Sequence, residues 1–440
     1  MKFKEYRQHQ IMLMPPSLDD KIPQEHLARY ISKVVDELDI KEIEDSYSDL
    51  GCHAYHPQML LKVILYGYSI GIRSSRRIQK EIREDLVFMW LAGMQEPDFR
   101  TISDFRKDRI KDIKQLFNQV LEICYKLGMV QCGKISIDGT KIEANSGRNK
   151  ITFRKKLEKS KASYEEKIEQ ILKEAEDIDA EEDRLYGDKD GYSLDREYTS
   201  DEIKEAMKKV QREKDKLERY EDKAREKLAV VNEKLDRMGE DRNSFGNTDK
   251  DATLMLMKND SLGVGYNVQM ATENQVIVGF GVFQDRADTH LLQPMIEEVE
   301  HNFGMTPEII LADKGYSSEQ NYEYLACRGM KSAIPPHTFD LDIVARHKGT
   351  YKPSENLTYE QYKGNMLDFL ETEEGKELLI KRKWDVEPTF GDIKHNMGFR
   401  KLLLRLMPKV KTEVGLISIA HNIKKIKTRL RMPQLAEEYC

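Results

Sequence analysis

Residues 308–316 read EIILADKGY. Four consecutive apolar residues followed by Asp-Lys-Gly are too short for a helix and fit a buried strand, with Asp313 standing just past its end. Residues 134–144, KISIDGTKIEA, are strand-like in the same way and carry Asp138. Between the two lie GYNVQMAT (265–272) and QVIVGFGVFQ (275–284), two strands joined by the turn ENQ, then a helical stretch over 289–303 that Asp288 or Thr289 can cap. Beyond Asp313, SSEQNYEYLACRG (317–329) reads as a helix stopped by Gly329, and KSAIP as a further strand. Helical sequence then surrounds Glu387 in KRKWDVEPTFGDIKH (381–395), where Pro388 either starts a helix or kinks a longer one.

Three strands, helix, strand, helix, strand, helix is the order of a ribonuclease H-like domain, here residues 131–150 and 248–400. The fold class expected is therefore α+β with a mixed sheet. In such a sheet the first and fourth strands lie side by side and parallel, so Asp138 and Asp313 would emerge at one crevice at the strand ends. The late helix would bring Glu387 to the same place. Each of these residues alone could be a turn or cap residue. Together, three carboxylates without His or Cys suit Mg²⁺ or Mn²⁺, and two such ions per site about 3.5–4 Å apart are a standard device for phosphodiester displacement. Lys394, seven residues after Glu387, falls on the same helix face two turns on, where a cation can hold a DNA phosphate.

The remaining sequence divides into three parts. Over 154–240 more than half the residues are charged, and apolar residues recur at heptad spacing, from Leu157 to Ala175 and from Ile203 to Met238. With YGDKDGYS between the arms, this predicts an antiparallel helical hairpin about 40–55 Å long, inserted after the first strand. Residues 1–130 read as helical. One helix opens at Pro57, a second runs unbroken from Ser74 or Ser75 to Gly93, and a third runs from Thr101 or Ser103 to Gly128. Arg73, Arg76 and Arg77 on the second permit a helix-turn-helix-like DNA reader, although Glu81, Glu84 and Asp85 interleave with them. Residues 401–440 form a basic helical segment, and Arg400 and Lys401 open a run of cations able to neutralise phosphates.

Composition narrows the class. The chain has 440 residues and a net charge of −6, so nucleic-acid binding must come from local basic surfaces. The five cysteines are scattered without zinc spacing, and no apolar run approaches membrane-spanning length. A cytoplasmic, nucleoid-associated protein without membrane partners is expected. Cys52, His53 and His56 have no evident fourth ligand, and His56 sits before a helix-starting proline.

The motifs resemble those of bacterial insertion-sequence transposases of the DDE class. The N-terminal resemblance lies in YSDLGCHAYHPQMLLKVILYGYSIGIRSSRRI (47–78) and PDFRTISDFR (97–106). The catalytic blocks are ISIDGTKIEAN (135–145), DATLMLMKND (251–260) with GYNVQMA, LADKGY (311–316) and VEPTFGDIKHNMGFR (386–400). The resemblance implies Asp138, Asp313 and Glu387 as the catalytic triad and Lys394 as the lysine that follows it. Many relatives carry a tyrosine and an arginine seven and four residues before the glutamate. Here those positions hold Ile380 and Lys383, with Arg382 one residue off. The implied activity is binding of the element's terminal inverted repeats, cleavage at its ends and joining of the 3′-hydroxyls to target DNA, by a homodimer or larger synaptic assembly on double-stranded DNA. A metal-dependent nuclease of the same fold, or a catalytically inactive DNA-binding relic, would share much of this sequence.

Overall fold

The computed structural model describes residues 17–47, 53–110, 113–147, 151–187, 200–239, 243–257, 261–353 and 355–438. It divides into two compact units, Met1–Asn145 with Met255–Cys440, and Ser146–Leu254.

Among the described residues the first unit begins with the helices α1 (Leu18–Lys21), α2 (Leu27–Glu37), α3 (Lys41–Glu44), α4 (Pro57–Ser69), α5 (Ser75–Glu84), α6 (Leu86–Leu91), α7 (Phe99–Asp104) and α8 (Ile113–Lys126). Pro57 opens α4 as expected, and the His56 ring caps it by accepting from the Gln58 N–H. The single helix expected from Ser74 to Gly93 is two. Asp85 interrupts it, its carboxylate accepting from the N–H groups of Val87 and Phe88 and so starting α6. The expected third helix is also split. Asp98, not Thr101 or Ser103, caps α7, a π-helical turn follows over Phe105–Arg109, and α8 starts afresh.

The sheet of this unit is mixed. Its central strand β1 (Lys134–Glu143) precedes β2 (Ile151–Phe153), α9 (Arg154–Gly187), α10 (Ser200–Met238), β3 (Ser244–Gly246) and β4 (Thr253–Leu256) in the chain. Next come β5 (Leu262–Glu273), β6 (Val276–Phe283), α11 (Leu292–Phe303), β7 (Ile309–Ala312), α12 (Glu319–Cys327) and β8 (Lys331–Ala333). β5 lies antiparallel to β1 and β6 antiparallel to β5, whereas β7 is parallel to β1 and β8 parallel to β7. Asn274 and Gln275 between β5 and β6 have φ of 53° and 65°, the left-handed pair a tight hairpin turn requires. The pairing is the expected ribonuclease H-like order.

Helices α13 (Phe339–His347), α14 (Leu357–Glu371), α15 (Glu373–Gly391) and α16 (Met407–Glu438) complete the unit. α16 is a core helix: Val410, Val414, Ile417, Ala420 and Ile423 are buried, and it packs on α2, α4, α8 and β6. Gly415 permits this approach, since a Cβ there would lie 2.3 Å from Ile113 and 3.0 Å from Phe280. A purely solvated basic segment is therefore not what 401–440 forms. Lys424 pairs with Asp392 at 2.5 Å, Lys409 with Asp108 at 3.2 Å and Arg431 with Glu25 at 2.6 Å.

In the second unit α9 and α10 pack along each other, and β2 and β3 pair antiparallel at their base. Leu157, Val231 and Met238 form a buried cluster with Tyr164 and Leu235 against it, the predicted heptad stripe. Their 34 and 39 residues correspond to about 50–60 Å of helix. Of the expected turn YGDKDGYS, residues 188–193 lie outside the described residues.

Candidate active site

The parallel register of β1 and β7 pairs Ser136 with Leu311 and Ile137 with Ala312. The next residue in each segment is an aspartate: Asp138, which lies within β1 and not at its end as expected, and Asp313, just past the end of β7. Neighbouring strands are about 4.8 Å apart, so the sheet itself sets these two carboxylates side by side. Each has one oxygen engaged locally: Asp138 Oδ1 accepts from the Gly139 N–H and Asp313 Oδ1 from the Gly315 N–H, both at 2.8 Å. Both residues are half-buried at the crevice.

A third aspartate joins them. Asp288, expected as a helix cap, makes no capping bond. Its Oδ1 instead accepts from Asn267 Nδ2 at 2.6 Å and Gln269 Nε2 at 2.8 Å, two amides that alternate on the crevice face of β5 and are fully buried. Gln269 Oε1 in turn accepts from the Tyr316 hydroxyl, which lies three residues beyond Asp313. Gly139 leaves the space: a Cβ there would sit 2.1 Å from Gln269 Nε2 and 2.8 Å from Asp288 Oδ1. Burial, and then the charges of Asp138, Asp288 and Asp313, push the Tyr316 phenol well above its usual range, so it stays a donor. The sequence signal for this network was present in GYNVQM, where two amides alternate through an otherwise apolar strand.

α15 crosses β1 and contacts it through polar side chains. Buried Asp385 accepts from Ser136 Oγ at 3.1 Å and pairs with Lys381 at 3.1 Å, and burial outweighs both partners to push its carboxyl up. Arg382 reaches Asp138 at 3.8 Å. Lys394 donates to Thr140, two residues beyond Asp138. Pro388 lies inside α15, and a π-helical turn follows over Asp392–Asn396. Glu387 follows Asp385 by two residues, roughly 200° around the helix, and so is exposed on the flank of α15. Among the described residues it makes no hydrogen bond or ion pair, and no group of three or more His, Cys, Asp or Glu is gathered as a metal-holding cluster. The sheet thus joins Asp138 to Asp313, while Glu387 stands on the neighbouring helix.

The predicted DNA-contacting cations separate into two groups. Arg73 is an internal buttress: its guanidinium donates to the Lys401 carbonyl at 2.6 Å and lies 4.7 Å from the Phe399 ring. Arg76 stacks 4.1 Å over Phe99, yet both it and Arg77, which pairs with Glu81 at 3.5 Å, keep exposed side chains. Lys383, Arg400 and Lys401 are exposed, with Arg400 2.9 Å from His395.

Comparison with known families decides the class. Residues 16–108 match the family Transposase domain (DUF772), and residues 251–423 match the family Transposase DDE domain. Together the matches span more than half of the chain. The chain belongs to the insertion-sequence DDE transposases. The DDE match contains Asp288, Asp313, Glu387 and Lys394, and begins after Asp138. Neither curated proteins nor solved structures returned a match to this transposase. No helix among its described residues is long and apolar enough to cross a membrane. The family normally uses divalent metals, and the oxygen-only donors at the β1–β7 crevice have the chemistry a hard cation prefers.

Proposed function

We propose that this transposase binds the inverted repeats at the ends of its element, hydrolyses a phosphodiester at each end and transfers the 3′-hydroxyls to target DNA, using Asp138, Asp313 and Glu387. The observation that carries the reading is the β1–β7 register, which brings Asp138, midway along β1, beside Asp313, just past the end of β7. Asp138 and Asp313 would hold the cations from the sheet, and Glu387 would complete the set from the flank of α15. A bound pair of Mg²⁺ or Mn²⁺ ions would supply activation of the attacking oxygen and charge neutralisation at the leaving oxygen.

The chain's own residues do the positioning. Lys394, held at Thr140, places a positive charge two residues along β1 from Asp138, where a strand phosphate would be drawn in. Arg382 at Asp138 balances the carboxylate and can turn to phosphate when the site fills. Lys383, Arg400 and Lys401 extend the basic surface for double-stranded DNA, and Arg76 and Arg77 offer a second one on α5. Arg73 is left out of the DNA-contacting set because its guanidinium serves the fold, donating to the Lys401 carbonyl against the Phe399 ring. Synapsis of two ends would require a homodimer or larger assembly, acting on nucleoid DNA in the cytoplasm.

The test is cleavage of DNA carrying the repeats that flank the gene, with Mg²⁺ or Mn²⁺, by wild type and Asp138→Ala. Metal-dependent cuts at the repeat ends are expected, reduced about 10³-fold or more in the variant, since such a site supplies several kcal/mol. Cuts that survive in Asp138→Ala would overturn the assignment. Cuts without joined products would make the protein a nuclease of the same fold.

A further inference from the structure

From Lys424 to Arg431, α16 carries five cations and no acid. Three of them are accounted for by the fold: Lys424 pairs with Asp392, Arg431 pairs with Glu25, and Lys427 shares the field of Glu25. Lys425 and Arg429 remain, four residues apart and so on one face of the helix. Both line a cavity of about 380 Å³, walled also by Gly128 just after α8, by Thr428, and by Asn274 and Gln275 of the β5–β6 turn.

Neither cation is paired with an acid among the described residues. Lys425 Nζ donates to a neutral oxygen, Gln275 Oε1, at 2.7 Å. Asp392 favours its charge from a distance, but the Asp392 oxygens are taken up by His421, Lys424 and Asn396. Burial is the largest influence on the Lys425 ammonium and pulls it below the ordinary lysine range. Arg429 is exposed and makes no hydrogen bond or ion pair among the described residues. Like charges four residues apart on a helix repel, so this pair costs stability unless an anion sits between them. Capping of α8 does not explain them, because the carbonyls of Ile123, Cys124 and Tyr125 already accept from Leu127, Met129 and Gly128. An ammonium with donors to spare and an uncommitted guanidinium, facing one cavity, match the oxygens of a phosphate group.

Resting on the reading above of a transposase that binds duplex DNA, we propose that the Lys425–Arg429 cavity is a second phosphate site, gripping the DNA backbone away from the catalytic crevice. Met270 on β5 pairs with Asp138, and four residues further on the chain reaches Asn274 at the cavity wall. That is about 14 Å at ~3.4 Å per residue. None of the lining residues belongs to the crevice, so the phosphate held here is not the scissile one. Backbone contacts carry no sequence information, and the site therefore adds affinity for any duplex, repeat end and target alike.

Salt dependence of duplex binding tests this on the full chain without metal. Affinity is measured over a range of salt for a labelled duplex carrying the flanking repeats and for an unrelated duplex of equal length. Each phosphate contact adds about 0.9 to the slope of log K against log salt. Arg429→Gln should therefore lower the slope by about 1, and Lys425→Gln with Arg429→Gln by about 2, equally for both duplexes. At about 0.1 M salt the double variant should bind on the order of ten-fold more weakly or worse. Arg429 is exposed, so its single variant tests the site even if losing the Lys425–Gln275 bond unsettles the turn. Lys126→Gln is the control: it removes an exposed cation two residues before Gly128 that pairs with Glu122, and it should leave the slope unchanged. An unchanged slope in Arg429→Gln, or an equal loss in Lys126→Gln, overturns the proposal. If inorganic phosphate raises the melting temperature of the wild type but not of Arg429→Gln, while the DNA slope stays intact, the cavity takes free phosphate and the proposal falls equally. Asp138→Ala should keep the wild-type slope. If the wild type binds both duplexes and cuts neither, while Arg429→Gln lowers the slope, the cleavage reading fails and the phosphate site stands.

Discussion

At the scale of single residues, the site is a set of acids arranged by buried amides. Gln269 sits between Asp288 and the Tyr316 hydroxyl, so one substitution leaves the buried Tyr316 donor without its acceptor and the Asp288 carboxylate one donor short. Gln269→Leu should lower stability by about 1–3 kcal/mol, the usual penalty for a buried polar group left unpaired, measured by denaturant unfolding. It should also raise the Mg²⁺ concentration for half-maximal cleavage, because Asp288, which Gln269 holds close beside Gly139 and Gly315, would be freed to move next to Asp138 and Asp313. An unchanged Mg²⁺ requirement would mean that the network supports only the fold. Asp138 and Asp313 were legible in the sequence because a charge within or just past a short apolar strand stands out. Asp288 was not, because an Asp before a helix reads as a cap, and only the packing of β5 reveals that its carboxylate turns to Asn267 and Gln269 instead.

At the scale of elements, periodicity identified the strands, the heptad arms and the Pro57 helix, but it could not find breaks made by local competition. Asp85 is one such break, trading helix continuity for two N–H bonds at the start of α6. Asp85→Ala should cost about 1 kcal/mol, the typical worth of an N-cap, visible as a lower melting temperature. Asp85→Asn, which keeps a capping oxygen, should restore most of it. The π-helical turn at Phe105–Arg109 is a second break, and there the buried Arg106, donating to the Tyr68 hydroxyl at 2.9 Å and the Arg73 carbonyl at 3.0 Å, uses contacts no local pattern encodes. The hairpin of α9 and α10 carries its own apolar seam, so replacing residues 154–240 with a short turn should leave the sheet-containing unit folded. A single cooperative melt of the shortened protein would bear this out, and its loss would sink the reading.

At the scale of the whole molecule, Asp392 ties the end of α15 to α16. It pairs with His421 at 2.9 Å and Lys424 at 2.5 Å, while the other ring nitrogen of buried His421 bonds the Gln275 carbonyl in the β5–β6 turn at 2.9 Å. Burial works to raise the Asp392 carboxyl, but hydrogen bonds from His421, Lys424 and Asn396 outweigh it and hold the group well below the usual carboxylate range. A pKa depressed in the folded state gives stability that is present above the ordinary value of about 3.9 and is lost as pH falls below it. Asp392→Asn should therefore be destabilised by about 3 kcal/mol near neutral pH, with the gap from wild type closing in acid. A gap independent of pH would assign the loss to packing alone. By itself, the sequence determined which segments are strands and helices, their order, and which carboxylates are candidates, because those depend on short-range periodicity and on residue chemistry. Tertiary structure fixed the residue-level register between Asp138 and Asp313, whose neighbourhood the strand order had already implied, and it alone decided that Arg73 and Lys424 serve the fold and that Glu387 and Trp384 stand on an exposed flank. Those outcomes depend on which distant residues meet, and a basic residue reads the same in sequence whether its partner is a phosphate or a backbone carbonyl 328 positions away.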